Sequence, residues 1–137
     1  MRVCVSAVAN SLDAQVDPRF GRCPYFVVVD SETMLFEGVP NPASGAMGGA
    51  GIQAAQAIVS RGVKVLITGN VGPNAFQALS AAGITIVTGA FGTVRDVVEK
   101  YKKGELRETS APTVRGHFGM GAGMGRGRGW GRGQWGS

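Results

Sequence analysis

Two arginines and a cysteine are the residues of this sequence best suited to hold a charged guest. Arg19, Arg22 and Cys23 lie within one stretch of five residues. A guanidinium is always charged and offers several N–H donors, which suits charged oxygen or sulfide surfaces. A thiolate is a soft metal ligand, and two neighbouring arginines would favour the ionised form of Cys23. The stretch predicts a site for an anion; the competing interpretation is that the arginines are solvated and the thiol is packed and inert.

Glycine-rich segments precede three predicted helices. Gly45, Gly48, Gly49 and Gly51 precede the first, Gly69, Asn70 and Gly72 the second, and Gly89 and Gly92 the third. A helix N-terminus presents unpaired N–H groups and the positive end of the helix dipole, so an anion is its natural guest. We expect the guest to contact Arg19, Gly21, Arg22, Gly48, Gly49, Gly51, Gly69, Asn70 and Gly72. The alternative is that these glycines only shape turns.

Candidate metal ligands are few. They are Cys23 and His117, the single histidine of the chain. Cys4 lies on a predicted strand and is expected in the core. Met34 and Met47 offer thioether contacts, although filling a gap is the simpler role for Met34. The sequence holds no CxxC motif and no histidine cluster, so it does not encode a fixed zinc-type site.

Apolar periodicity predicts the elements that position these residues. Strands are expected over residues 3–8, 25–29, 34–39, 63–68 and 84–87. Helices are expected from Ile52 to Gly62, from Pro73 to Gly83, and from Thr93 to Gly104, where Thr93 and Asp96 have the spacing of a capping box. The second and third strands have the spacing of an antiparallel hairpin.

This order of elements predicts a mixed five-stranded α/β sheet with helices on its faces. The late strands alternate with helices, which requires parallel pairing through right-handed crossovers. If the second strand alone runs backwards, the segments 9–23, 40–51, 69–72 and 88–93 meet at one edge of the sheet. In open α/β sheets ligands bind at that edge.

Residues 17–26 (DPRFGRCPYF) resemble the DxRFGRxxxF stretch of the dinitrogenase iron-molybdenum cofactor-binding family. The resemblance continues through Asn41, the glycines before Ile52, residues 63–72 (VKVLITGNVG) and Gly83, and so covers about residues 1–103. The family includes nitrogenase accessory proteins and small stand-alone archaeal and bacterial domains. Family members often have a small residue where this chain has a cysteine, so no ligand role is carried over.

The resemblance implies both a fold and a function. The fold is a ribonuclease H-like motif, a three-layer α/β/α arrangement with sheet order 3-2-1-4-5 and an antiparallel strand 2. The function is binding or transfer of an iron-molybdenum or related metal-sulfur cluster, with cluster donor or acceptor proteins as partners. The protein is then a non-catalytic carrier.

Composition fits one soluble domain, with 137 residues of which 44% are apolar and 17% charged. We predict a cofactor-binding domain over residues 1–104, a linker over 105–115 and a disordered tail over 116–137, where ten of 22 residues are glycine. The chain has no apolar run of membrane-spanning length and no signal-peptide pattern, which favours the cytoplasm and excludes a membrane partner.

Other functions are less well supported. A metal-dependent nuclease needs converging carboxylates, and the first strand (VCVSAV) has none. The glycine segment GAMGGAG lacks the acidic residue that follows a dinucleotide-binding loop. The alternative from another class is nucleic-acid interaction through Arg126, Arg128, Arg132, Trp130 and Trp135 in the tail. Three arginines give little affinity at physiological salt, which makes a nucleic-acid partner the weaker hypothesis.

Overall fold

The computed structural model describes residues 1–45 and 49–113, which form five strands and three helices. The strands are β1 (Arg2–Ala7), β2 (Tyr25–Asp30), β3 (Phe36–Pro40), β4 (Val65–Ile67) and β5 (Thr85–Val87). The helices are α1 (Ala50–Val59), α2 (Pro73–Ala81) and α3 (Val94–Lys102). Each predicted element is present, with ends shifted by a few residues.

The five strands form one mixed sheet in the order β3-β2-β1-β4-β5, as predicted. β2 is antiparallel to both β1 and β3, whereas β4 pairs in parallel with β1 and with β5. The carboxyl ends of β1, β3, β4 and β5 therefore share one edge of the sheet. We call this the carboxyl edge.

The two faces of the sheet carry separate apolar clusters because successive strand residues point to opposite sides. Cys4 and Leu66 face α1 and α2, together with Phe26. Val3 and Ile67 face α3 on the other side. The result is the three-layer α/β/α arrangement expected from the sequence, with two helices on one face and one on the other.

Local signals explain where the helices stop and start. Gly83 follows α2 in the left-handed conformation, with φ of 80°, as its glycine predicts. At α3 the predicted capping box is present, since the Thr93 side chain accepts from the Asp96 N–H while the Asp96 side chain accepts from the Thr93 N–H. α1 begins at Ala50, two residues before the predicted Ile52, because small residues start the helix ahead of its apolar stripe.

Residues 105–113, predicted as part of a linker, are attached to the domain at defined points. Leu106 packs against the α3-side core. The Thr109 N–H donates to the Ile86 carbonyl (2.6 Å), and the Thr113 N–H donates to the Val71 carbonyl (3.0 Å). We call residues 105–113 the anchor segment. No helix in the part of the chain described above is long and apolar enough to cross a membrane.

Candidate functional site

A cavity of about 600 Å³ opens at the carboxyl edge on the α1 and α2 face. Its walls are residues 18–22, residues 49–52 at the start of α1, and residues 70 and 72–75 at the start of α2. We call it the cleft. Seven predicted contact residues line it: Arg19, Gly21, Arg22, Gly49, Gly51, Asn70 and Gly72. None of the lining residues is an Asp or a Glu.

Both helices that begin at the cleft do so without a side-chain cap. Gly49 precedes α1 and Gly72 precedes α2, and neither helix has a side-chain hydrogen bond at its first turn or an acidic residue there. The first N–H groups of a helix have no partner within the helix. Two positive dipole ends therefore face the same space, which suits an anion.

The prediction that the third helix also opens onto this site is wrong. Gly89 and Gly92 do not line the cleft, because α3 packs on the opposite face of the sheet. The N-terminus of α3 is also occupied by its own capping box of Thr93 and Asp96. The loops that follow the strands all lie at the carboxyl edge, but some lie on the α1 and α2 face of the sheet and others on the α3 face.

The pattern of residues 19–23 explains why the arginines point outward. The N–H groups of Arg22 and Cys23 both donate to the Arg19 carbonyl, at 3.2 and 3.0 Å, which closes a turn. Phe20 is 2% exposed and its ring centroid lies 5.3 Å from that of Phe26. Because Phe20 anchors the turn in the core, Arg19 and Arg22 remain on the cleft side.

Arg19 is held by a buried carboxylate. Asp17 is 1% exposed. Its Oδ1 accepts from the Arg19 Nε (3.0 Å) and backbone N–H (2.9 Å), and its Oδ2 accepts from Arg19 Nη2 (2.9 Å). These hydrogen bonds hold the pKa of the Asp17 carboxyl below its usual value. The pair fixes the guanidinium, although the carboxylate also offsets part of its charge.

Residues 17–23 form a loop that carries both arginines, and we call it the arginine loop. Close backbone contacts attach this loop to both helix starts. The Asn70 N–H donates to the Pro18 carbonyl (2.8 Å). A Cβ on Gly69 would lie 2.5 Å from the Pro18 Cα, and a Cβ on Gly21 would lie 3.2 Å from the Gly51 nitrogen. Gly69 was expected to contact the guest, but it does not line the cleft. Because it has no side chain, it allows the loop to approach the start of α2.

Cys23 does not face the cleft. Its side chain is fully buried beside Phe20, three residues earlier on the inner side of the turn. The expectation that nearby arginines keep it ionised is wrong, since burial raises the pKa of the thiol to about 12. Asn41 holds this part of the loop from the core side: its Nδ2 donates to the carbonyls of Cys23 (2.9 Å) and Gly21 (3.2 Å). As the domain stands, this sulfur cannot reach a guest in the cleft.

The other candidate ligands are placed elsewhere. Cys4 is buried in the core as expected, and burial raises the pKa of its thiol well above the usual value. Met34 packs against the α3-side core and so fills a gap. Gly48, Met47 and His117 lie outside the described residues, as do residues 116–137. Within the described ranges no three His, Cys, Asp or Glu side chains come together to hold a metal ion.

The sequence reasoning missed Asp17 as the residue that positions Arg19. The spacing Asp-Pro-Arg was a usable signal, because an Asp side chain can accept from the backbone N–H two residues later and so form a turn. It also missed a buried polar contact below the loop. The Ser6 hydroxyl donates to the Asp17 carbonyl (2.6 Å) and lies 2.7 Å from the Thr68 hydroxyl, joining β1 to the loop.

Comparison with known proteins identifies the family of the chain. The model of the family described as dinitrogenase iron-molybdenum cofactor matches residues 1–104. The chain belongs to this family. The fold prediction and the resemblance drawn from residues 17–26 are thereby confirmed.

Solved structures support the assignment. The chain is 47% identical to the orange protein of Desulfovibrio gigas, solved in its apo form, with a TM-score of 0.79 over 81% of this chain and 94% of that one. It is 38% identical to a NifB-like protein from Thermotoga, with a TM-score of 0.68 over 78% and 91% of the two chains. It is also 26% identical to an uncharacterized protein of Methanocaldococcus jannaschii, over 79% of this chain and 95% of the relative.

Proposed function

We propose that this protein binds a preassembled anionic metal-sulfur cluster in the cleft, an iron-molybdenum cofactor or a related cluster, and carries it without catalysing a reaction. One observation supports this most directly. Two uncapped helix N-termini and the guanidinium groups of Arg19 and Arg22 line one cavity whose walls contain no carboxylate. The family match supports a metal-sulfur cluster as the guest.

The donors at the cleft favour an intact cluster over a metal ion. Backbone N–H groups and guanidinium groups donate hydrogen bonds and cannot coordinate a cation. A cluster that already has sulfide ligands presents a negative, hydrogen-bond-accepting surface to such donors. The volume of about 600 Å³ is that of a site for a multi-atom ligand.

Each segment that lines the cleft has a role in binding the guest. The starts of α1 and α2 donate N–H groups, and their dipoles stabilise the negative charge. Arg22 adds a cation, and Arg19 adds donors in an orientation set by Asp17. We assign Cys23 no ligand role, because its side chain is fully buried and does not line the cleft. A cytoplasmic location and transfer to cluster acceptor proteins belong to the same proposal.

The test begins with protein isolated without oxygen. We expect bound molybdenum or iron together with inorganic sulfide by elemental analysis, and charge-transfer absorption in the visible. Binding in solution can be measured with tetrathiomolybdate, an anionic molybdenum sulfide, by equilibrium dialysis. Absence of metal in the isolate together with absence of thiomolybdate binding would refute the proposal.

Matched arginine variants locate the guest. Arg22→Gln should weaken binding of tetrathiomolybdate by about tenfold, since a hydrogen bond to a charged group contributes roughly 1.5–3 kcal/mol. Arg95→Gln is the control, because Arg95 lies at the start of α3 on the other face, paired with Asp13 at 3.5 Å. Cys23→Ala should retain binding within about twofold. Equal losses in the Arg22 and Arg95 variants would indicate a nonspecific charge effect instead of a site.

A further inference from the structure

The Asp17 carboxylate lies directly behind the Arg19 guanidinium and does not itself line the cleft. Its two oxygens take the Nε and Nη2 donors on one side of the guanidinium. A guanidinium has five N–H donors, which leaves about three that Asp17 does not use. A guest in the cleft would therefore meet the donors of Arg19 with a negative charge immediately behind them.

The position of Asp17 is fixed by β1. The Asp17 N–H donates to the Ser6 carbonyl (2.9 Å), and the Asp17 carbonyl accepts from the Ser6 hydroxyl (2.6 Å). The Ser6 hydroxyl also lies 2.7 Å from the Thr68 hydroxyl, which follows β4. Because both backbone groups of Asp17 bond to one residue of the central strand, the loop holds the carboxylate at a defined place behind the cleft.

A carboxylate is not needed to build this turn. The turn requires an oxygen that accepts from the Arg19 N–H, and an asparagine or serine side chain can supply one. Burying a charge costs more than burying a neutral polar group, and Asp17 is 1% exposed. The turn therefore does not account for the negative charge, whereas the neighbouring Arg19 does, since its own charge is offset.

This charge acts on a guest in proportion to the charge of the guest. Coulomb energy is proportional to both charges, so Asp17 weakens the attraction of a doubly charged anion twice as much as that of a singly charged one. Among the described residues that line the cleft, the charged ones are Arg19 and Arg22. Offsetting Arg19 thus changes a large share of the charge that a guest experiences.

We propose that Asp17 determines the charge selectivity of the cleft by limiting its preference for more highly charged anions. This inference rests on the proposed function and names a residue that sets which guests the site takes. Asp17 acts through Arg19 and so is a positioning residue that also tunes charge. A moderate preference allows a multiply charged cluster to leave the cleft, as release from a carrier requires.

The test uses three tetrahedral anions of the same shape, bound to the full chain. Tetrathiorhenate carries one negative charge, whereas tetrathiomolybdate and tetrathiotungstate carry two. The readout is the ratio of the affinity for tetrathiomolybdate to that for tetrathiorhenate, measured by equilibrium dialysis under identical conditions. The folded fraction of a variant cancels in this ratio. Tetrathiotungstate should follow tetrathiomolybdate in every variant, because the two anions match in charge.

Asp17→Asn should raise this ratio about threefold, the size expected for one charge close to a partly exposed site. Asp13→Asn is the matched control, since it makes the same change in another Asp–Arg pair, with Arg95 of α3, and should leave the ratio unchanged. Arg19→Gln should lower the ratio about threefold. The double variant Asp17→Asn with Arg19→Gln loses both charges and should return to the wild-type ratio, although it has lost donors. If Asp17→Asn does not fold, Arg19→Gln gives the same test with the opposite sign.

The possible outcomes separate the two proposals. An equal loss of affinity for singly and doubly charged anions in Asp17→Asn would show that Asp17 only holds the loop in place. That result would overturn the inference and leave the cleft proposal standing, as would equal rises of the ratio in Asp17→Asn and Asp13→Asn or a wild-type ratio in Arg19→Gln. Absence of binding of all three anions to the wild-type protein would overturn the proposed function and this inference with it.

Discussion

Two helix starts at the carboxyl edge differ in how their N–H groups are satisfied. At α3, Thr93 and Asp96 cap the first turn reciprocally, and the Asp96 carboxylate complements the helix dipole. At α2, Gly72 supplies no side chain at the equivalent position, and the first turn has no acidic residue. The cap satisfies donors of α3, whereas the uncapped α2 leaves its donors available at the cleft.

The difference shows that a missing cap can mark a binding site. A cap contributes about 1 kcal/mol to stability, so a helix without one gives up stability that a side chain could supply. Both uncapped helices of this domain begin at the same cavity, and the capped one does not. The contrast gives a set of variants with opposite expected effects.

The largest expected effect follows from the packing that holds the arginine loop against α2. In Gly69→Ala the new Cβ would lie 2.5 Å from the Pro18 Cα, so backbone must move. We expect a loss of about 3 kcal/mol in the free energy of unfolding, at the upper end for overpacking, measured by urea denaturation. Gly72→Ala is the matched control, because a Cβ there meets nothing within 4 Å. Similar losses in the two variants would contradict the role assigned to the Gly69 contact.

The second effect converts α2 into a capped helix. Gly72 has φ of −81° and ψ of 173°, the extended conformation of a capping residue, so Gly72→Asp should cap the first turn. Stability should stay the same or rise by a few tenths of a kcal/mol. Thiomolybdate affinity should fall about tenfold, since a carboxylate would repel the anion and occupy its donors. Gly72→Asn also caps the helix but adds no charge, so its affinity for thiomolybdate should lie between those of wild type and Gly72→Asp. An affinity of Gly72→Asp equal to that of wild type would contradict the link between the missing cap and binding.

The third effect removes the cap that exists. Thr93→Ala should reduce the free energy of unfolding by about 1 kcal/mol, because the Asp96 N–H loses its acceptor. Thiomolybdate affinity should stay within about twofold, since α3 lies on the other face of the sheet. Thr93→Ser, which retains the hydroxyl, should recover most of the stability. A loss of binding in Thr93→Ala would show that the two faces are not independent.

The fourth effect is a pH dependence from the Asp17–Arg19 pair. The pKa of Asp17 is lowered in the folded protein, so the pair stabilises the fold above the unfolded pKa of about 3.9 and this contribution is lost as the pH falls through the folded pKa. Asp17→Asn should cost about 1 kcal/mol at neutral pH, a figure reduced for the exposed arginine, whose side chain is 64% exposed. Its stability should then fall less than that of wild type between pH 4 and pH 2. An Asp17→Asn variant whose stability falls as steeply as that of wild type over this range would contradict the role assigned to the pair.

Much of the fold follows from the sequence because its signals are local. The alternation of strands and helices predicts a mixed sheet with helices on its faces, and Thr93 with Asp96 marks the start of α3 at fixed spacing. The strand order itself is implied by the family resemblance of residues 17–26. The convergence of the arginine loop with two glycine-led helices also follows, because parallel strands place their carboxyl ends at one edge. The direction of β2 comes from the short hairpin that joins it to β3.

The remainder depends on packing between residues distant in the chain. Cys23 faces the core because Phe20 anchors the same side of the turn there. The residue types alone do not indicate which side of the turn packs inward. The crossover that places α3 on the opposite face removes Gly92 from the site. Thr113 and Val71 pair although they are 42 residues apart, and no pattern in the sequence predicts this contact.

The contact between Thr109 and the outer side of β5 also bears on how copies of the protein behave at high concentration. An uncovered outermost strand offers its carbonyl and N–H groups to a strand from another molecule, which is a common start of aggregation. Here the Ile86 carbonyl and the Thr88 N–H are already taken by Thr109. A protein shortened to end before Thr109 would therefore be expected to lose solubility through strand-to-strand association, even with every residue of the cleft intact.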